Sequence, residues 1–289
     1  MNKKTVILHI GLPKTGTTSL QQVLHFNSAQ LKSRGIHYLE NGTQYFDDFG
    51  HHAIAVSGMG IAGARVTPHL DLNALRQVWH QALDEIRYSP HEKVFLSSEL
   101  FSMEYSNENS IRSILQALTD NGQVDIKVVV VLRDVADFVN SVYMQRVRDG
   151  APDTIEEFIP QIRHLLDWKT LVERWAAVAG KGNVVCLKFE DLAASNLVSR
   201  FCEIVFGITE RLAEPEHFLK NPSLPDAAIN LIHKVNRSEI SPAAKIGLAN
   251  HLSKFFADHP LREPKTSFLS PEQSQALRAG CRWPQDVIS

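Results

Sequence analysis

The chain has 289 residues, 44% of them hydrophobic and 21% charged, with a net charge of −2 and three cysteines. That composition suits one α/β domain with a sizeable core, and its near-neutral charge argues against a broad nucleic-acid or anionic-membrane surface. The few cysteines (Cys186, Cys202, Cys281) argue against a disulfide framework and for a reducing, cytoplasmic setting.

The first predicted element is a strand over Thr5–Ile10, a β-branched and apolar run interrupted by His9. Met1-Asn2-Lys3-Lys4 before it imitates a signal peptide, but the run is short and leads into Pro13-Lys14 rather than a cleavage site. No stretch has the apolar length of a membrane span. Gly11 to Gly16 breaks the pattern. Thr17–Leu31 then has helical periodicity, with Thr17 or Thr18 as its expected N-cap. A short strand is expected at Ile36–Leu39. Residues 40–70 read as a glycine-rich, loop-prone insertion that carries His51-His52, two loop histidines with no third ligand at zinc spacing.

Leu72–Ile86 predicts a helix and Lys93–Ser98 a strand, which places Glu99 at the strand's carboxyl end. In open parallel sheets that end faces the ligand crevice. A helix follows over Ser110–Leu118. Asp125–Leu132, with four consecutive valines, predicts a central strand buried on both faces. Arg133 ends it, and Asp134 is the expected N-cap of the next helix, whose Gln145, Arg146 and Arg148 read as a solvated face. One or two helices run on to Ala179, with Trp168 and Trp175 in the core. A strand spans Asn183–Phe189, and a helix from Glu190 reaches about Phe206. Residues 207–289 predict a helical C-terminal part with capping signals at Ser241-Pro242 and Ser270-Pro271. The whole, 1–289, reads as a single domain.

Strand, glycine-bounded loop and helix together aim backbone N–H groups at one anion. Against the triphosphate-binding pattern G-x-x-x-x-G-K-[ST], Gly11, Gly16 and Thr18 fall in place, but Thr17 stands where the lysine belongs and the loop's lysine is Lys14. The loop suits a phosphate, and a metal-bound triphosphate less well.

Pro13-Lys14-Thr15-Gly16-Thr17-Thr18 resembles the 5′-phosphosulfate loop of the sulfotransferases, which use 3′-phosphoadenosine-5′-phosphosulfate (PAPS). Arg133 and Ser141, eight residues apart, resemble the arginine and serine with which that family holds the 3′-phosphate. Trp175, Gly180 and Asn183 through Leu192 extend the likeness, which covers residues 5 to about 206 and is of the bacterial type. Two departures stand out. Ser97-Ser98-Glu99 replaces the lysine-threonine-histidine triplet of cytosolic members, and their C-terminal arginine-lysine-glycine segment has no clear counterpart. Asn221-Pro222-Ser223 resembles a stretch of bacterial members, while Arg262 and Lys265 read as surface charges.

The resemblance implies a P-loop-like, three-layer α/β fold with a central, mainly parallel sheet and helices on both faces. It implies sulfuryl transfer from PAPS, without a metal, to a hydroxyl or amine of a carbohydrate, lipid or small-metabolite acceptor, releasing 3′,5′-ADP. Lys14 is the expected electrophile and Glu99 the expected base. Pro13, Lys14, Thr15, Gly16, Thr17, Thr18, Arg133 and Ser141 are the expected nucleotide ligands. Two readings from other classes stay open. One is a Mg²⁺-dependent P-loop nucleotide kinase with Asp134 at the metal, and the other is a catalytically silent PAPS-binding module.

Overall fold

The computed structural model describes residues 3–47, 49–58, 71–102, 107–120, 122–215, 224–259 and 267–285. Met1-Asn2, residues 59–70 of the expected insertion, Asn221-Pro222-Ser223, Arg262 and Lys265 lie outside them. The strands are β1 (Thr5–His9), β2 (Ile36–Tyr38), β3 (Lys93–Ser97), β4 (Asp125–Leu132) and β5 (Val184–Lys188). They form one sheet in the order β2-β3-β1-β4-β5, and every neighbouring pair is parallel. Such pairing needs crossover helices and covered faces, which explains the continuous apolar run of β4.

The helices are α1 (Thr17–Phe26), α2 (Ser28–Lys32), α3 (His52–Gly58), α4 (Leu72–Tyr88), α5 (Glu108–Leu118), α6 (Val135–Arg148), α7 (Ile155–Ile162), α8 (Trp168–Ala179), α9 (Phe189–Ala193), α10 (Leu197–Phe206), α11 (Asp226–Asn236), α12 (Pro242–Asp258) and α13 (Pro271–Gly280). The fold is an α/β three-layer sandwich with helices on both faces of a mainly parallel sheet. Strand residues alternate between the faces. Ile7, Phe95, Val129, Val131 and Leu187 meet Leu20, Val23 and Leu24 of α1, and Val198, Phe201 and Cys202 of α10, in one core. On the other face α8 packs on β4 and β5, and α5 on α8.

The chain divides into two compact units. The first, Met1–Arg133, Asp167–Phe218 and Arg282–Ser289, contains the sheet. The second, Asp134–Leu166 and Leu219–Cys281, is helical among its described residues. In the second, Tyr143 of α6 is a hub: its ring meets Phe158 at 5.7 Å and Phe268 at 5.4 Å, and its hydroxyl donates to the Asp153 carbonyl at 2.9 Å.

Beyond shifts of one or two residues at element ends, three elements differ from the sequence pattern, each for a local reason. The helix expected over Thr17–Leu31 breaks at Asn27, whose amide donates to the carbonyls of Val23 and Ala213 and so competes with the helical ladder. The helix expected from Glu190 to Phe206 breaks before Asn196, whose side chain caps α10. Inside the insertion, α3 stands where the glycine spacing suggested irregular chain, and its first residues are buried.

Candidate active site

The loop between β1 and α1 is shaped by two residues with positive φ, Lys14 (66°) and Gly16 (79°). Left-handed residues in a short loop turn successive backbone N–H groups toward one side, forming an anion-binding concavity. Gly11 and Gly16 are sterically required. A Cβ on Gly11 lies 2.7 Å from His9 Nε2, and one on Gly16 lies 2.6 Å from Leu197 Cδ1.

Gly16, rather than Thr17 or Thr18, is the N-cap of α1, and it supplies no side-chain cap. The first intrahelical bond is from Leu20 N–H to the Gly16 carbonyl at 3.0 Å, leaving the N–H groups of Thr17, Thr18 and Ser19 without a helical acceptor. Helices α4, α5, α6, α7, α8, α10, α12 and α13 each receive a cap from a side chain, whereas α2, α9 and α11, like α1, receive none. A ten-residue helix that begins with bare donors presents the positive end of its dipole there, a setting that favours an anion.

The loop's hydroxyls divide their work. Thr15, buried, donates to the Leu12 carbonyl at 2.6 Å and braces the turn. Thr17 donates to Glu99 Oε2 at 2.5 Å. With their single protons so committed, Thr15 and Thr17 have only their backbone N–H groups left to donate. The Thr18 hydroxyl makes no hydrogen bond among the described residues.

Glu99 sits two residues past β3, in a short 3₁₀ turn, half-buried and across from the loop as the parallel sheet predicts. Ser102 ties that turn to the loop, its hydroxyl lying 2.8 Å from the Glu99 carbonyl and 3.0 Å from the Gly11 carbonyl. Arg133, one residue past β4, donates from Nη1 to the Lys14 carbonyl at 2.7 Å, and its guanidinium lies 4.8 Å over the Phe189 ring. Lys14, Glu99, Thr17 and Arg133 are thus drawn together at the carboxyl ends of β1, β3 and β4. Ser141 belongs to the second unit, near the middle of α6 and half-buried.

Beneath this rim lies a buried polar layer that sequence reasoning missed. His9 Nδ1 is 2.8 Å from Ser97 Oγ, and Gln21 Nε2 donates to the same hydroxyl at 3.0 Å. His51 is fully buried between the Ser97 and Leu39 carbonyls, and His52 Nδ1 lies 2.8 Å from Ser98 Oγ. The two histidines expected in a loop are therefore core residues. Burial drives His9 down to about 3 and His51 down to about 4, so both are neutral at pH 7. The legible signal was a histidine and a serine inside otherwise apolar strands, since a buried polar side chain needs a partner.

Asp134, expected as an N-cap, accepts from the N–H groups of Ala136 and Asp137. Arg278 adds a two-point contact at 2.9 and 3.1 Å. Burial opposes ionisation there, but these donors outweigh it and hold the carboxyl below its ordinary value. No cluster of three or more potential metal ligands occurs among the described residues, and no described helix is long and apolar enough to cross a membrane.

The sequence model of the sulfotransferase domain family matches residues 4–206, a span that holds Lys14, Glu99, Arg133 and Ser141. Among solved structures, a sulfotransferase from Alicyclobacillus acidocaldarius is similar at 17% identity and a TM-score of 0.46, covering 86% of this chain and 95% of that one. The sulfotransferase domain from the curacin biosynthetic pathway is similar at 12% identity and a TM-score of 0.36, covering 96% and 97%. No curated protein matches the chain.

Proposed function

The chain belongs to the sulfotransferase domain family, and from that premise we propose that it moves a sulfuryl group from PAPS to a hydroxyl or amine of a carbohydrate, lipid or small-metabolite acceptor. The observation that carries the reading is the bare N-terminus of α1 behind a loop with left-handed Lys14 and Gly16, beside a carboxylate. These residues fit a donor with a 5′-phosphosulfate: N–H groups suit its anion, and a nearby carboxylate suits an acceptor's proton.

In this reading the N–H groups of the Pro13–Thr18 loop, with the Thr18 hydroxyl, hold the 5′-phosphate. Glu99 takes the acceptor's proton as the acceptor atom bonds to sulfur. The bond from sulfur to the bridging oxygen breaks, its electron pair stays on that oxygen, and Lys14 stabilises the charge developing there as 3′,5′-ADP leaves. On their eight-residue spacing alone, Arg133 and Ser141 are assigned to the 3′-phosphate; a guanidinium fork and a hydroxyl are the chemistry such a group needs. The bacterial type and P-loop kinship are carried by the same loop, and the cytoplasmic setting by a chain with only three cysteines.

The nucleotide-kinase reading needs Asp134 at a Mg²⁺, and that carboxylate is already met by two backbone N–H groups and Arg278. The test is sulfur-labelled PAPS with sugar, lipid and small alcohol or amine acceptors, and with water alone, in the presence of a chelator. Release of 3′,5′-ADP that Lys14→Ala slows about 10²- to 10³-fold is the expected result. Binding of 3′,5′-ADP with no release under any condition would instead point to the silent module.

A further inference from the structure

Resting on the assignment of Glu99 as base, we propose that His52, through the Ser98 hydroxyl, is a positioning residue for the Glu99 carboxylate. Ser98 is fully buried, and among the described residues its hydroxyl has two partners: His52 Nδ1 at 2.8 Å and the Leu100 N–H at 3.2 Å. Those contacts bracket Glu99 in the chain. Ser102 closes the turn from the other side by way of the Glu99 carbonyl. With its backbone pinned at both flanks, Glu99 can present Oε2 to Thr17 at 2.5 Å.

His52 is itself fixed. Its ring meets Phe46 edge-on at 4.8 Å, and it opens α3 beside His51. His51 donates its backbone N–H to the Ser97 carbonyl at 2.8 Å and accepts from the Ser97 N–H through Nδ1 at 3.0 Å. The two neighbouring histidines thus grip the two serines before Glu99, His51 by the backbone and His52 by the side chain. The apolar strand β3 could end in a plain turn without them. A buried hydroxyl linked to a buried imidazole is a directional fixture, and a shift of about 1 Å in a reacting group is enough for a hundredfold loss of rate.

The test uses the full chain with His52→Phe, which keeps a ring against Phe46 and removes the nitrogen, and Ser98→Ala, the smaller change if the first variant is insoluble. Three quantities are read: PAPS cleavage to water or acceptor, 3′,5′-ADP affinity, and the Glu99 carboxyl ¹³C resonance, assigned by its loss in Glu99→Gln. Either variant should slow turnover about tenfold to a hundredfold, leave 3′,5′-ADP affinity within about twofold, and move the Glu99 resonance. In a Glu99→Gln background neither should slow turnover further. His52→Asn, which retains a polar side chain, should recover part of the rate. An unmoved Glu99 resonance, or an equal loss in the Glu99→Gln background, overturns the proposal. If wild-type protein neither binds 3′,5′-ADP nor cleaves PAPS, the sulfotransferase reading fails, while the resonance still decides whether His52 holds Glu99.

Discussion

The Arg133 guanidinium donates to the carbonyl oxygen of Lys14 at 2.7 Å, joining the end of β4 to the loop after β1 across 119 positions. The bond bears on the residue whose backbone is left-handed, φ 66°, a conformation that an L side chain disfavours. One cation therefore braces the loop's strained point and is also the group assigned to the 3′-phosphate. Arg133→Met should lower 3′,5′-ADP affinity about tenfold to a hundredfold and reduce the melting temperature, because it removes a charged donor to a carbonyl and the contact over Phe189. Calorimetric titration and thermal unfolding measure the two effects.

Lys14 separates charge from backbone. Lys14→Ala should reduce PAPS turnover about 10²- to 10³-fold while 3′,5′-ADP still binds, as expected for a group needed mainly when charge develops. Lys14→Gly should lose as much activity yet melt no lower than Lys14→Ala, because glycine adopts positive φ without penalty. Equal turnover in wild type and Lys14→Ala would remove the lysine from the chemistry.

Gly16 has two reasons to be glycine, and they can be parted. Gly16→Ala places a Cβ 2.6 Å from Leu197 Cδ1 and also forces φ 79° on an L residue. A destabilisation of roughly 1–3 kcal/mol is expected, with loss of 3′,5′-ADP binding. Adding Leu197→Ala should relieve the contact only, so stability recovers in part and nucleotide binding does not. Urea titration of the three variants reads this out.

Stability should fall as the solution is acidified, in two stages. His9 and His51 have folded values of about 3 and about 4, below their ordinary 6.5, so beneath pH 6.5 the unfolded chain binds protons that the folded chain refuses. Each contributes a loss of roughly 1.4 kcal/mol per pH unit until its folded value is reached. Glu85 joins below its ordinary 4.5. Burial raises its value, but His37 at 2.9 Å, the N–H groups of Glu40 and Asn41, and the Asn41 amide outweigh that and hold it at about 2. Its contribution is whole above pH 4.5 and disappears toward pH 2. Urea unfolding at pH 7, 5.5 and 4 should show the first slope, and His51→Gln should flatten it.

The parts of the fold governed by local chemistry were legible in the sequence. The four-valine run of β4 could be buried only on both faces, Ser241-Pro242 and Ser270-Pro271 do cap helices, and Trp168 and Trp175 are buried. What was not legible depended on partners far along the chain. Asn27 breaks a helical pattern because Ala213 offers it a carbonyl, and His51 and His52 leave the expected loop because Ser97 and Ser98 wait behind them. The strand pattern foretold that Lys14, Glu99 and Arg133 lie just past the carboxyl ends of β1, β3 and β4. It did not reveal that the Thr17 hydroxyl serves Glu99, or that Arg133 grips Lys14, since both bonds join residues whose spacing carries no pattern.

The central claim is that the loop from Pro13 to Thr18 is the seat of a 5′-phosphate belonging to a 3′-phosphorylated adenosine. Calorimetric titration in EDTA tests it most directly, with 3′,5′-ADP injected into wild-type protein and into Gly16→Ala, and ATP with excess Mg²⁺ as the rival ligand. One-to-one binding of 3′,5′-ADP without metal, lost in Gly16→Ala and exceeding that of ATP–Mg²⁺, is the predicted result. Saturable binding of ATP–Mg²⁺ with no heat from 3′,5′-ADP would contradict it.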